Sequence, residues 1–273
     1  MITVKPHGGL GNRMRVIDSA WLLAKRTGKH LTVVWEMSAE LNCSFTDLFL
    51  LPDTLSLKEY KSNGIGNRIS ALLSKSMNKL GVHLPAGYDF YLFNKDILTA
   101  KSLDADLPAM VKGKKSIYID TVHRFFYDEG TLSEFSPIPE LQSSIDSYTS
   151  QFIPPTVGVH IRRTDNAESI RYSPLIHFKS FMKQEIESFK DTQFFLATDS
   201  METELELKEL FPGRIITQQK TLDRNTVSGI QGALVDLYCL SKTKKIIGSH
   251  FSSFSEVASQ IEGIPLQQIY AEV

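Results

Sequence analysis

The stretch VGVHIRRTDN, residues 157–166, sets a histidine, two adjacent arginines and an aspartate at the end of an apolar, β-type run. A guanidinium stays charged at any working pH and its planar donors match paired phosphate oxygens, so an arginine fixed here suits a diphosphate. Successive strand residues point to opposite faces. One of Arg162 and Arg163 can therefore face a ligand while the other is held by structure, with Asp165, two residues on, as a candidate partner. A surface ion pair is the competing explanation, although charge at the end of a buried strand is costly unless something offsets it.

Three further strand ends deliver polar groups of the same kind. In GSHFSSFSE, Ser252 and Ser253 open a helix, and Ser253 with Glu256 spells an S-x-x-E capping box. Free amides and the positive dipole end there would bind phosphate, and an ordinary cap explains the pattern as well. ATD places Asp199 where another strand stops. GGLGN follows the first strand, and its glycines, Gly9 and Gly11 among them, let a ligand approach the main chain while Asn12 adds an amide at the helix start. It is neither GxGxxG nor a Walker loop, which argues against phosphoryl transfer from ATP. Asp236 stands in a helix beside Leu234, Val235 and Leu237. It is read either as an acceptor for a base or ribose, or as part of a solvated face.

Metal readings fare worse. The seven histidines show no HxxxH or HExxH spacing, and Asp104-Ala-Asp106 is a DxD with no strand before it, so a turn-forming loop is the better reading there.

These residues need elements that hold them. ITVKPH reads as a strand, GGLGN as a turn, NRMRVIDSAWLLAKRTG as a helix with Met14, Ile17, Trp21 and Ala24 on one face, and HLTVVWE as the returning strand. Continuously apolar runs suit strands buried on both faces of a doubly wound sheet. Residues 51–108 give no clear order beyond an amphipathic helix in RISALLSKSMNKL, which fits interdomain packing better than membrane contact. A proline- and serine-rich stretch, FSPIPELQSSIDSYTSQFIPPT, marks a domain boundary, giving domains 1–136 and 137–273. A second βα series follows: TVGVHIRR, a helix opened by Ser173 and Pro174, QFFLATD, METELELKELF, RIITQ, GIQGALVDLYCLSKT, KKIIGS and SSFSEVASQIE. Ligands of open α/β sheets bind beyond the carboxyl ends of the strands, where the residues above fall.

Composition restricts the partners. Hydrophobic residues make up 42%, charged residues 22%, and the formal net charge is -1, so nothing draws the chain generally to nucleic acid or anionic membrane. Cys43 and Cys239 form no disulfide framework or zinc spacing, and no run approaches the roughly 18 apolar residues of a spanning helix. A protein of the reducing cytoplasm, at most peripheral to a membrane, is the expectation.

Taken together, G-G-L-G-N, HIRRTD, ATDS and D-L-Y-C-L-S followed by GSHFSSFSEVA resemble the fucosyltransferase superfamily of α-1,2-, α-1,6- and protein O-fucosyltransferases. The match runs over nearly the whole chain, its middle segment excepted. The resemblance implies a GT-B-like α/β fold of two Rossmann-like domains facing across a cleft. It implies an inverting, metal-independent transfer of fucose from GDP-fucose to a glycan hydroxyl, with no cofactor beyond that donor. By the same resemblance Arg162 holds the β-phosphate and His160 and Asp236 contact guanine or its ribose. Arg163 and Asp165 order their loop, Asp199 sits near the nucleoside, and Ser252, Ser253 and Phe254 line the phosphate and base pocket. Gly9, Gly11 and Asn12 close the site from the other domain. Glu168 is only a rough counterpart of an acceptor-side glutamate, so no general base is assigned. Two alternatives stay open: another nucleotide sugar on the same fold, or a non-catalytic nucleotide- or glycan-binding protein.

Overall fold

The structure, a computed structural model, describes residues 1–62, 85–127, 132–164, 166–219, 221–223 and 225–271. The RISALLSKSMNKL helix and Asp165 lie outside them. The chain divides into two compact units, Met1–Asp47 with Leu51–Thr131, and Leu48–Leu50 with Leu132–Val273.

In the first unit the strands β1 (Ile2–Pro6), β2 (Leu31–Met37), β3 (Leu55–Lys61), β4 (Phe90–Phe93) and β5 (Ile117–Thr121) form a sheet of order β3-β2-β1-β5-β4, and every pairing is parallel. Register sets Val4 beside Val33 and Ile119, and all three are fully buried, which is why these runs are apolar without alternation. Helix α1 (Leu10–Thr27) buries Met14, Ile17, Trp21 and Ala24, the expected face, and stops at Gly28, whose φ of 63° is the left-handed conformation that favours glycine. Helices α2 (Asn94–Ser102) and α3 (Leu107–Met110) precede β5. The α1 start differs from expectation. It begins at Leu10 with Gly9 as its N-cap, so Asn12 is inside the first turn and does not cap it.

The second unit repeats the scheme. Strands β6 (Thr156–Ile161), β7 (Gln193–Thr198), β8 (Ile215–Ile216), β9 (Ile246–Ser249) and β10 (Leu266–Ile269) form a parallel sheet of order β10-β9-β6-β7-β8. The helices are α4 (Pro139–Thr149), α5 (Ala167–Tyr172), α6 (Leu175–Ser188), α7 (Met201–Leu210), α8 (Val227–Ser241) and α9 (Ser253–Ile261). One face of β6 packs Val157, Val159 and Ile161 against Phe178 and Met182 of α6. On the other face Gly158 admits the close approach of Leu240 and Thr243, since a Cβ there would lie 3.0 and 2.8 Å from their side chains. The expected α/β architecture of two parallel sheets is present. Both sheets place their first strand at the centre, and the strand order reverses beside it, which is where open α/β sheets bind ligands.

Leu48–Leu50 belongs to the second unit although it precedes β3. Leu50 N donates to Ser136 O at 2.9 Å, Ile138 N donates to Leu48 O at 3.0 Å, and the Phe49 and Phe135 rings meet edge to face at 5.2 Å.

Candidate functional site

The carboxyl ends of β6 and β7 open into a pocket of the second unit. Its lining includes His160 from β6 and Arg162 just past it, Asp199 just past β7, Gly229 and Asp236 from α8, and Phe254 from α9. The site is organised around one carboxylate. Asp199 Oδ2 accepts from Arg162 Nε at 3.2 Å and from Thr164 Oγ1 at 2.7 Å, and Asp199 Oδ1 accepts from Arg163 N at 2.7 Å. Ser249, fully buried at the end of β9, accepts from Arg162 N at 3.0 Å. A guanidinium pinned through its Nε and its own backbone keeps its position before any ligand arrives.

The two arginines part as neighbours at a strand end should. Arg162 lines the pocket, whereas Arg163 donates Nη2 to Ser173 O at 2.8 Å and lies over the Phe178 ring. Burial lowers the pKa of Arg163, with Asp199 opposing it. Ser173 does not open α6 as expected. Pro174 is the N-cap, and the Ser173 hydroxyl instead donates to Ile269 O at 2.7 Å and accepts from His250 N at 2.8 Å, tying α5 to the ends of β9 and β10.

His160 is 5% exposed and stacks on Phe254, with centroids 4.8 Å apart and planes 30° from parallel. Phe254 can stand there because Gly248 lets α9 come close: a Cβ on Gly248 would lie 2.7 Å from the Cβ of Ser255. The capping box expected from Ser253 and Glu256 does not form. The N-cap is Ser252, buried, with no side-chain capping bond, and Ser253 is the first helical residue. First-turn amides of a helix have no intrahelical acceptor, so α9 starts with donors beside the end of β9. Asp236 is 3% exposed, which excludes the solvated-face reading, and it accepts from Gln218 Nε2 at 2.6 Å.

His160, Arg162, Asp199, Asp236 and Phe254 are thus brought to one pocket, with Ser252 and Ser253 at the adjoining helix start. Gly9, Gly11 and Asn12 lie in the first unit, beyond the end of β1. There the φ of Gly8 is 83°, and Arg13, 1% exposed, fixes the turn by donating Nε to Gly8 O at 2.8 Å. A Cβ on Gly9 would meet nothing within 4 Å, and its φ of -74° suits any residue. Packing therefore does not require that glycine.

Sequence reasoning missed Gln218, Gly229 and the Thr221–Leu222 wall. Gln218 follows a strand of only two residues, too short to announce its end. Gly229 is needed because a Cβ would fall 1.9 Å from Asp223 O, in the loop that Thr226 ties down by donating to that same oxygen at 2.8 Å. The T-x-x-G spacing of a capping threonine was the available signal. Asp106 N-caps α3, accepting from Ala109 N at 3.1 Å, which is the structural use of the DxD stretch. Among the described residues no group of three or more His, Cys, Asp or Glu side chains is placed to hold a metal ion, and no helix is long and apolar enough to cross a membrane.

No family model and no curated protein sequence matches the chain. Solved structures do. NodZ α-1,6-fucosyltransferase soaked with GDP-fucose aligns at a TM-score of 0.63 and 18% identity, over 95% of this chain and 92% of that one. The chain has the fucosyltransferase fold. An Arabidopsis thaliana FUT1 variant in complex with GDP aligns at 0.60 and 15% identity over 100% and 70% of the two chains. POFUT1 in complex with GDP-fucose aligns at 0.53 and 10% identity over 98% and 97%.

Proposed function

We propose that this chain is a glycosyltransferase that moves fucose from GDP-fucose to a glycan hydroxyl, with inversion and without a metal. The observation that carries the reading is the pinned Arg162 at the end of β6, between Asp199 and the start of α9, in a fold shared with fucosyltransferases solved with GDP or GDP-fucose.

In this reading the acceptor oxygen bonds to C1 of fucose as the bond from C1 to the β-phosphate oxygen breaks, GDP departs with the electron pair, and the acceptor hydroxyl's proton passes to solvent. Negative charge grows on the diphosphate in the transition state. A preorganised guanidinium and oriented amides stabilise that charge more than the ground state, which is what lowers a barrier. His160 stacked on Phe254, and buried Asp236 held by Gln218, form the base and ribose end. Arg163, paired to a carbonyl, keeps the loop in place. Gly9, Gly11 and Asn12 contribute from their own turn, where the empty space around Gly9 lets a ligand approach the main chain.

Thermal unfolding with GDP, UDP, CDP and ADP tests the donor. GDP at a hundredfold excess over its Kd should stabilise the chain by about 2.7 kcal/mol, a rise of several degrees at roughly 2–4 °C per kcal/mol. Pyrimidine diphosphates should do much less, because polar groups matched to guanine's edge are left unpaired. A larger response to UDP or ADP overturns the fucosyl donor. Release of GDP from GDP-fucose should continue in EDTA. Loss there with recovery in manganese overturns the metal-free step, and GDP binding with no release at all would favour a binding protein.

A further inference from the structure

Beside the nucleotide pocket, in the same unit, stands an aromatic cluster to which the donor reading gives no part. The Tyr172 and Tyr270 rings stack with centroids 5.5 Å apart and planes 14° from parallel, and Phe251 packs against Tyr172 at 6.0 Å. His250 fills the space between them, 4.1 Å from Phe251 and 4.9 Å from Tyr270. Phe251 is 57% exposed and Tyr270 54%.

These rings are held out on purpose-built backbone. Phe251 adopts a φ of 55°, a left-handed conformation that is unfavourable for a non-glycine residue and persists only where neighbours impose it. The neighbours are identifiable. Asn166 Nδ2 donates to Phe251 O at 3.1 Å, Ser169 Oγ donates to His250 O at 2.7 Å, and Ala271 N donates to Tyr172 O at 2.8 Å. Three separate segments thus combine to present rings whose burial would otherwise be favourable. Two chain links join the patch to the pocket's residues: Phe251 immediately precedes Ser252, the N-cap of α9, and His250 follows Ser249, whose hydroxyl accepts from Arg162 N at 3.0 Å.

Its chemistry selects an occupant. Flat apolar faces with Asn166 and Gln268 amides and the Arg171 guanidinium nearby suit a ligand with one apolar face and a hydroxyl rim. A stable protein partner would need a surface of roughly 20–30 residues, far beyond a few rings. We propose that Tyr172, Phe251 and Tyr270 form a platform on which a pyranose ring of the acceptor glycan stacks. The proposal rests on the glycosyltransferase reading.

The test is binding of the GDP-loaded protein to a printed array of defined oligosaccharides, beside the GDP thermal shift. The parent should retain a subset of the glycans. Phe251→Ala and Tyr270→Ala should each weaken that binding about tenfold or more, the worth of one aromatic contact, while the GDP shift is kept and Phe251→Tyr behaves as the parent. Unchanged glycan binding in both alanine variants, or no glycan held by a parent that binds GDP, overturns the platform. A change from dimer to monomer on removing both rings, with glycan binding intact, assigns the patch to a second copy and overturns it too. If Phe251→Ala also loses the GDP shift, Tyr270→Ala, which follows β10 and does not adjoin the start of α9 in the chain, decides. A parent with no GDP shift contradicts the donor reading itself.

Discussion

Asp199 commits both carboxylate oxygens to the loop that carries Arg162, and this coupling separates two kinds of mutational effect. Arg162→Ala removes the cation proposed to face the leaving group and leaves the loop's other ties in place. We expect a folded protein that still responds to GDP, with a transfer rate reduced at least about a hundredfold, the usual loss for one transition-state charge contact; single-turnover GDP release measures it, and a rate within a few fold of the parent rules out the leaving-group role. Asp199→Asn instead replaces an acceptor-only group with one that presents an NH2 to some of those donors. It should lower stability by about 1–3 kcal/mol in denaturant titration and also depress the rate, because Arg162 loses its Nε anchor. A rate defect without a stability defect would assign Asp199 to substrate contact alone. Much at this scale was legible, since His160, Arg162 and Asp199 each sit where an apolar run ends. The partner of Arg163 was not, because a backbone carbonyl such as Ser173 O has no signature in a sequence.

Helix α8 forms one pocket wall, and its third residue, Gly229, is what allows the preceding loop to fold over its start. Alanine normally helps a helix by about 1 kcal/mol over glycine. Here the added methyl would sit 1.9 Å from a main-chain oxygen that a flexible side chain cannot move aside, so overpacking, typically 1–3 kcal/mol, should win. Gly229→Ala is therefore expected to melt a few degrees lower, at roughly 2–4 °C per kcal/mol, and to show a smaller GDP response as the loop shifts. An equal or raised melting temperature would mean the loop yields easily. The long helices and central strands were readable because their apolar periods are strong. Strands β3, β4 and β10, all at sheet edges, were not: LSLKEYK alternates, with exposed Lys61 at its end, FYLF has only four residues, and LQQI carries two glutamines. Edge strands need little apolar surface, so they leave little signal.

For the whole molecule, the informative feature is that Leu48–Leu50 sits with residues more than eighty positions later. Phe49 is 1% exposed and packs on Phe135, so Phe49→Ala should cost about 3–5 kcal/mol. Hydrogen exchange should locate the loss in the second unit, around α4 and α8, and spare β1 and β2, although Phe49 is encoded in the first fifth of the chain. Faster exchange confined to β1 and β2 would contradict the assignment. No local pattern in LFLLP could have foretold this pairing, because its partner strand of contacts is long-range. During synthesis the order matters. At about 5–20 residues per second, residues 132–138 leave the ribosome several seconds after Leu48 and Phe49. For that interval two side chains that end fully buried have no native surface to cover them, and the nascent first unit carries an unmatched apolar tab that only the arrival of the next segment can close.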